Sequence, residues 1–150
     1  MAYCIVCGIY LLDQATKLLA VNFLKAGETV PVLKDVFHLT LVYNTGAAFG
    51  ILASRVHLFI MIAVISSGII IYFLRSRSHS AVFREKLSLY FILGGTLGNL
   101  TDRLRVGAVI DFFDLRVWPV FNVADSFITI GAVLLAWSIF FKGKHVGERG

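Results

Sequence analysis

The sequence predicts an all-α integral membrane protein, with four transmembrane helices and a small extracytoplasmic β-element. Three observations lead there. Of the 150 residues, 58% are hydrophobic and only 15% are charged, whereas a soluble domain has about 45–50% and about 25%. The apolar excess is gathered into long runs instead of being spread along the chain. Lysines and arginines cluster just beyond two of those runs, as cytoplasmic anchors do. The length suits one domain spanning residues 1–150.

About 20 helical residues cross the hydrocarbon core, and this places the spans near 2–24, 57–74, 87–103 and 121–141. The first is interrupted by Asp13-Gln14-Ala15-Thr16-Lys17. It is read as a span and not as a cleaved signal peptide, because it lacks a basic n-region and its apolar run leads into charge instead of a small-residue cleavage site. Its abrupt start is what a chain missing a few native residues would show. Cys4 and Cys7 form C-x-x-C, but without a βαβ context they read as small apolar helix residues. Residues 28–49 are not helix-like. Val30-Pro31-Val32-Leu33 and Val36 to Tyr43 are β-branched and aromatic, with Lys34-Asp35 as a turn, and Asn44 to Gly50 brings small residues that allow close backbone approach. Arg75, Arg77, Arg84 and Lys86 follow the second span, and Lys142, Lys144 and Arg149 follow the fourth. Both groups are expected inside, which places 25–56 and 104–120 outside and both termini in the cytoplasm. The net charge of +5 is largely these anchors. No basic stripe with interleaved aromatics suggests nucleic acid, and no His/Cys/carboxylate grouping has metal-ligand spacing.

The chemistry lies in polar groups set among apolar ones. Gly95, Gly98, Asn99 and Asp102 follow helical i, i+3, i+4, i+7 spacing and share one face of the third span. Gly94 and Gly98 also form G-x-x-x-G, a helix-packing pattern. Packing explains Gly94 but not Asn99 and Asp102, which require polar partners in an apolar setting. Arg103 suits a helix C-terminus and has two further options, pairing with Asp102 or holding a substrate carbonyl. Asn122 and Asp125, three apart, are expected on one face of the fourth helix. Asp13 and Lys17 have i, i+4 ion-pair spacing and read as structural, since mutual neutralisation lowers the penalty of burial. In the outer loop 104–120, Phe112, Phe113 and Trp118, with Phe121 just beyond, mark headgroup depth, which puts Asp111 there beside Asp125. Asp114 is the competing acid and is expected to be solvated. Ionisable groups in such places usually do work. Two carboxyls held close share one proton, so that one can act as base and the other as acid.

At these residues the chain resembles the bacterial lipoprotein signal peptidases, the signal peptidase II family. Five blocks carry the resemblance in order: D-Q-x-T-K at Asp13 to Lys17, N-x-G-A-A-F at Asn44 to Phe49, G-G-x-x-G-N-x-x-D-R at Gly94 to Arg103, V-x-D-F at Val109 to Phe112, and F-N-x-A-D at Phe121 to Asp125. They reach from the first span to the fourth. The stretch before Asp13 is short for the family, a departure that bears on where span one starts. The resemblance implies an intramembrane aspartic endopeptidase of the bacterial cytoplasmic (inner) membrane, acting as a monomer without metal or cofactor near the outer face. Its implied substrates are diacylglyceryl-modified prolipoproteins, cut just before the lipidated cysteine, and membrane lipids are its other partners. It implies Asp111 and Asp125 as the catalytic pair. Asn44, Gly46, Asn99, Arg103, Asn122 and Ala124 would line the site, and Asp13, Lys17 and Asp102 would support it. The competing expectation is a small proton-coupled transporter or channel subunit, because intramembrane Asp and Arg also mark ion pathways. That reading expects acids spread through the bilayer depth, whereas Asp102, Asp111 and Asp125 gather toward one face.

Overall fold

Long proline-free runs, apolar in three of four cases, form the helices seen in a computed structural model that describes residues 2–46, 56–76 and 83–142. The helices are α1 (Ala2–Phe23), α2 (Val56–Ser76), α3 (Phe83–Val106) and α4 (Val123–Lys142). Strands β1 (Thr29–Leu33) and β2 (Phe37–Asn44) lie between α1 and α2, and β3 (Val109–Asp114) lies between α3 and α4. The expected spans and the helices agree to within a few residues at each end, except that the residues from Ala47 to Gly50 and the anchors Arg77, Lys144 and Arg149 lie outside the described residues.

Among the described residues, three helices are long and apolar enough to cross a membrane: Tyr3–Phe23, Val56–Ser76 and Val123–Phe141. Their outward faces expose large aliphatic side chains such as Leu11, Leu18, Ile62, Val64, Val133 and Ile139, the surface expected of a helix solvated by lipid. Cys4 and Cys7 are free and exposed on α1, consistent with their reading as ordinary helix residues. At 24 residues α3 is long enough, but it falls short in apolarity. Its polar and small residues, among them Ser88, Gly95, Gly98, Asn99 and Asp102, are buried against α4 and α1, its main packing partners. A helix wrapped by its neighbours does not need an apolar surface all round.

The β-element is larger than the sequence suggested. β1 and β2 form the expected antiparallel hairpin, turning through Lys34–Val36 with Asp35 at φ 61°, a conformation that Asp tolerates. β3 joins as a third antiparallel strand beside β2. From sequence, residues 109–114 read only as interfacial loop. Val-Ile-Asp-Phe-Phe has strand composition, but its pairing partner is supplied by a segment far back in the chain. A register shift between Leu39 and Val42 sets Val42 opposite Asp111 and Asn44 opposite Val109. Ala20, Leu41, Phe112 and Val123 form the buried core where α1, β2, β3 and α4 meet. That core fixes the sheet to one end of the bundle.

Candidate active site

The site is built where β3, the start of α4 and the polar face of α3 converge. Asn122 is its hinge, and its position corrects the expected one: α4 begins at Val123, so Asn122 caps the helix and does not lie on its face. Its Oδ1 accepts the Asp125 N–H at 2.8 Å, and Asp125 Oδ2 accepts the Asn122 N–H at 3.3 Å. This reciprocal arrangement is a capping box, which satisfies donors that a helix start leaves orphaned. Phe121, also expected in the span, instead bridges to Phe113 of β3, which pulls the cap against the sheet.

Two carboxylates meet at this cap. Asn122 Nδ2 donates to Asp111 Oδ1 at 2.7 Å, and Asn44 Nδ2 donates to Asp111 Oδ2 at 2.9 Å. Asn99 Nδ2 donates to Asp125 Oδ1 at 2.7 Å. Asn44 is itself held by Gly46, whose N–H donates to Asn44 Oδ1 at 2.9 Å. Gly46 takes φ 98°, in the left-handed region that favours glycine. Asp111 is only 2% exposed. Burial pushes its carboxyl up to about 7, against the Asn44 donor, with the Asp125 charge adding to the rise and Asn122 and Lys17 opposing it. Two cavities flank the pair. One of about 280 Å³ is lined by Asn44, Thr45, Asp111, Pro119 and Val120 among others. The other, about 350 Å³ and mainly apolar, is lined by Leu115, Trp118, Phe121, Asp125, Thr129 and Ile130 among others.

Behind the pair lies a buried ionic cluster. Lys17 Nζ sits 2.8 Å from Asp13 Oδ2 and 2.6 Å from Asp102 Oδ2, and it donates to Asn99 Oδ1 at 2.9 Å. Asp13 Oδ1 accepts the Ala124 N–H at 2.9 Å, Gln14 Nε2 donates to Asp102 Oδ1 at 3.1 Å, and Asp102 Oδ2 accepts the Ile110 N–H at 3.2 Å. The cluster therefore ties α1, α3, β3 and α4 together. The Asp13–Lys17 pair expected from spacing is present. Its third member, Asp102, was not legible as such, because it comes from another helix.

Two other residues are placed differently from expectation. Ala124 is fully buried, with its carbonyl oxygen against Gly95 and its Cβ against Gly98 of α3. Asp114 is buried rather than solvated. Thr40 Oγ1 donates to its Oδ2 at 2.7 Å, and Arg116 bonds it through both backbone N–H and guanidinium. Burial raises its carboxyl, but the Thr40 and Arg116 donors outweigh that and hold it below the usual range. It is engaged away from the Asp111–Asp125 pair. Arg103 does not take the Asp102 pairing that was open to it. Its guanidinium lies 5.2 Å from the centroid of the Phe59 ring on α2, within electrostatic reach of Asp125 and Asp111.

Apolar helices that enclose a polar cap with two amide-bridged carboxylates define a membrane-embedded helical protein with an acid pair, one member buried and one half-buried. Comparison with known proteins narrows this class. The pattern of signal peptidase (SPase) II matches residues 5–141, and the chain belongs to the signal peptidase II family. It is 52% identical over 149 residues to a lipoprotein signal peptidase of Halothermothrix orenii, covering 99% of this chain and all of that one. It is 45% identical over 144 residues to that of Caldanaerobacter subterraneus, covering 95% and 98% of the two chains. A solved bacterial membrane enzyme superposes with TM-score 0.89 at 28% identity, covering 99% of this chain and 93% of that one.

Proposed function

We propose that the protein removes signal peptides from diacylglyceryl-modified prolipoproteins, cutting just before the lipidated cysteine, and that it does so as an aspartic endopeptidase using Asp111 and Asp125. One observation carries the mechanism: two carboxyls bridged by the single residue Asn122, whose side-chain amide donates to Asp111 and whose backbone N–H donates to Asp125, one of them buried and held up to about 7. Such a pair shares a proton near neutral pH. The ionised partner takes a proton from water as its oxygen attacks the scissile carbonyl. The protonated partner donates to the carbonyl oxygen. Collapse of the tetrahedral intermediate breaks the C–N bond, with a proton delivered to the cysteine nitrogen. Proton transfer by positioned groups supplies about 10²–10⁴-fold.

The setting suits the substrate. An apolar signal peptide reaches the site laterally from lipid, and the acyl chains hold the scissile bond near headgroup depth. We read α3 as a fourth span, its polar face covered by α1 and α4. The site then lies toward the outer face of the bacterial inner membrane and both termini lie inside. The β1–β2 hairpin covers the bound peptide, and the polypeptide acts as a monomer. Family membership leaves the transporter reading without support.

The test is cleavage of a diacylglyceryl prolipoprotein by purified protein in lipid or detergent, with the cut located by mass spectrometry. Cleavage before the lipidated cysteine, lost in folded Asp111→Asn and Asp125→Asn, is expected. No cleavage by the unaltered folded chain would sink the peptidase assignment. Turnover surviving in either variant would reassign the acid.

A further inference from the structure

The ionic cluster behind the dyad is more than a helix clamp. We propose that Lys17 is a positioning residue that locks the Asn99 side-chain amide and so keeps its N–H₂ group donating to Asp125; this rests on the aspartic-dyad reading.

An ammonium has three hydrogens and no acceptor. Lys17 is 2% exposed, and its three close acceptors are Asp13 Oδ2, Asp102 Oδ2 and Asn99 Oδ1. The third contact reaches the active site. Asn99 Oδ1 faces Lys17 and also accepts from Asn122 Nδ2 at 3.1 Å, which leaves Asn99 Nδ2 turned to Asp125 Oδ1 at 2.7 Å. Flipping that amide would set its N–H₂ against the ammonium and its oxygen against a carboxylate. Asp125 Oδ1 therefore always meets a donor. The first turn of α4 favours a negative charge at the same place.

Net charge does not explain the effect. The groups around the pair are Asp13 and Lys17 from α1, Asp102 and Arg103 from α3, Asp111 from β3 and Asp125 from α4. With Asp13, Lys17 and Asp102 all ionised, the cluster carries one net negative charge, which by itself opposes an anion nearby. Lys17 acts on Asp125 chiefly through the direction in which it points Asn99.

That separation sets the experiment. Lys17→Met/Asp102→Asn removes one charge of each sign and leaves the cluster's net charge as it was. In the prolipoprotein assay, kcat is expected to fall about 10–100-fold with KM within about twofold. The acid limb of the pH profile of kcat/KM, which reports the coupled pair, is expected to move, since the dyad loses its fixed amide donor. An unmoved acid limb with unchanged kcat, and only a lower unfolding temperature, would reduce Lys17 to a structural clamp. If the double variant does not fold, side-chain amide NMR of asparagine-labelled unaltered protein decides. Slow exchange at a single Asn99 orientation supports the lock, and exchange as fast as an exposed amide overturns it. Asp111→Asn and Asp125→Asn run alongside. Cleavage that survives in both removes the dyad reading and this proposal with it, whereas dyad-dependent cleavage with an unmoved limb removes this proposal alone.

Discussion

Asn122 shows how much one side chain does at this site. Its amide group approaches Asn99 Oδ1, the Ile110 carbonyl and Asp111 Oδ1, three acceptors for two hydrogens, while its own oxygen caps α4. The sequence displayed Asn122 and Asp125 at helical spacing but not that the first is a cap. A cap differs from a first helical residue in its backbone dihedrals, and an Asn three residues before an Asp is compatible with either setting. The prediction at this scale concerns Asp111. Its carboxyl stands at about 7 in the folded protein and at about 3.9 when unfolded. The folded state therefore holds the proton more tightly. The stability this group contributes is fully present below about pH 4 and is lost as pH rises through about 7. Unfolding temperatures between pH 5 and pH 8 are expected to fall more steeply for the unaltered protein than for Asp111→Asn. Equal slopes would show that Asp111 ionises freely in the fold.

At the scale of elements, α3 is the organiser, because it is the helix that others surround. Its glycines are placed by contact. A Cβ on Gly98 would meet Asp13 Oδ2, and one on Gly95 would meet the Ala124 carbonyl oxygen. The helical spacing of Gly95, Gly98, Asn99 and Asp102 made this shared face legible. The face that receives it was not, since α1 and α4 bring Asp13 and Ala124 from opposite ends of the chain. Gly98→Ala is expected to destabilise the protein by about 1–3 kcal/mol through overpacking against Asp13. Gly8, whose added Cβ would meet nothing within 4 Å, is the control, and Gly8→Ala is expected to be neutral or stabilising by up to about 1 kcal/mol. Denaturant unfolding in detergent checks both, and equal effects would show that the α1–α3 contact is loose.

At the scale of the whole molecule, the Lys/Arg distribution and the one-ended placement of the sheet bear on orientation together. The proposed topology puts the β1–β2 turn outside and the end of α2 inside. With Cys4 and Cys7 replaced by serine, Lys34→Cys is expected to react with a membrane-impermeant maleimide in intact cells. Ser76→Cys is expected to react only after permeabilisation. The opposite pattern would invert the molecule and move the site to the cytoplasmic face.

Composition, run length and charge placement determined from the sequence alone that the chain is built of membrane helices, where those helices lie, and which polar residues were out of place in them. These are local properties, readable over a turn or a span because burial in lipid acts on each segment by itself. Tertiary structure decided which of those polar residues meet. Asn44 reaches Asp111 across 67 positions and Lys17 reaches Asn99 across 82. The third strand exists because β2 is there to pair with it. The reason is physical: a buried polar group must find a partner, but the sequence names only the groups, and the packing of α1, α3 and α4 selects the partner.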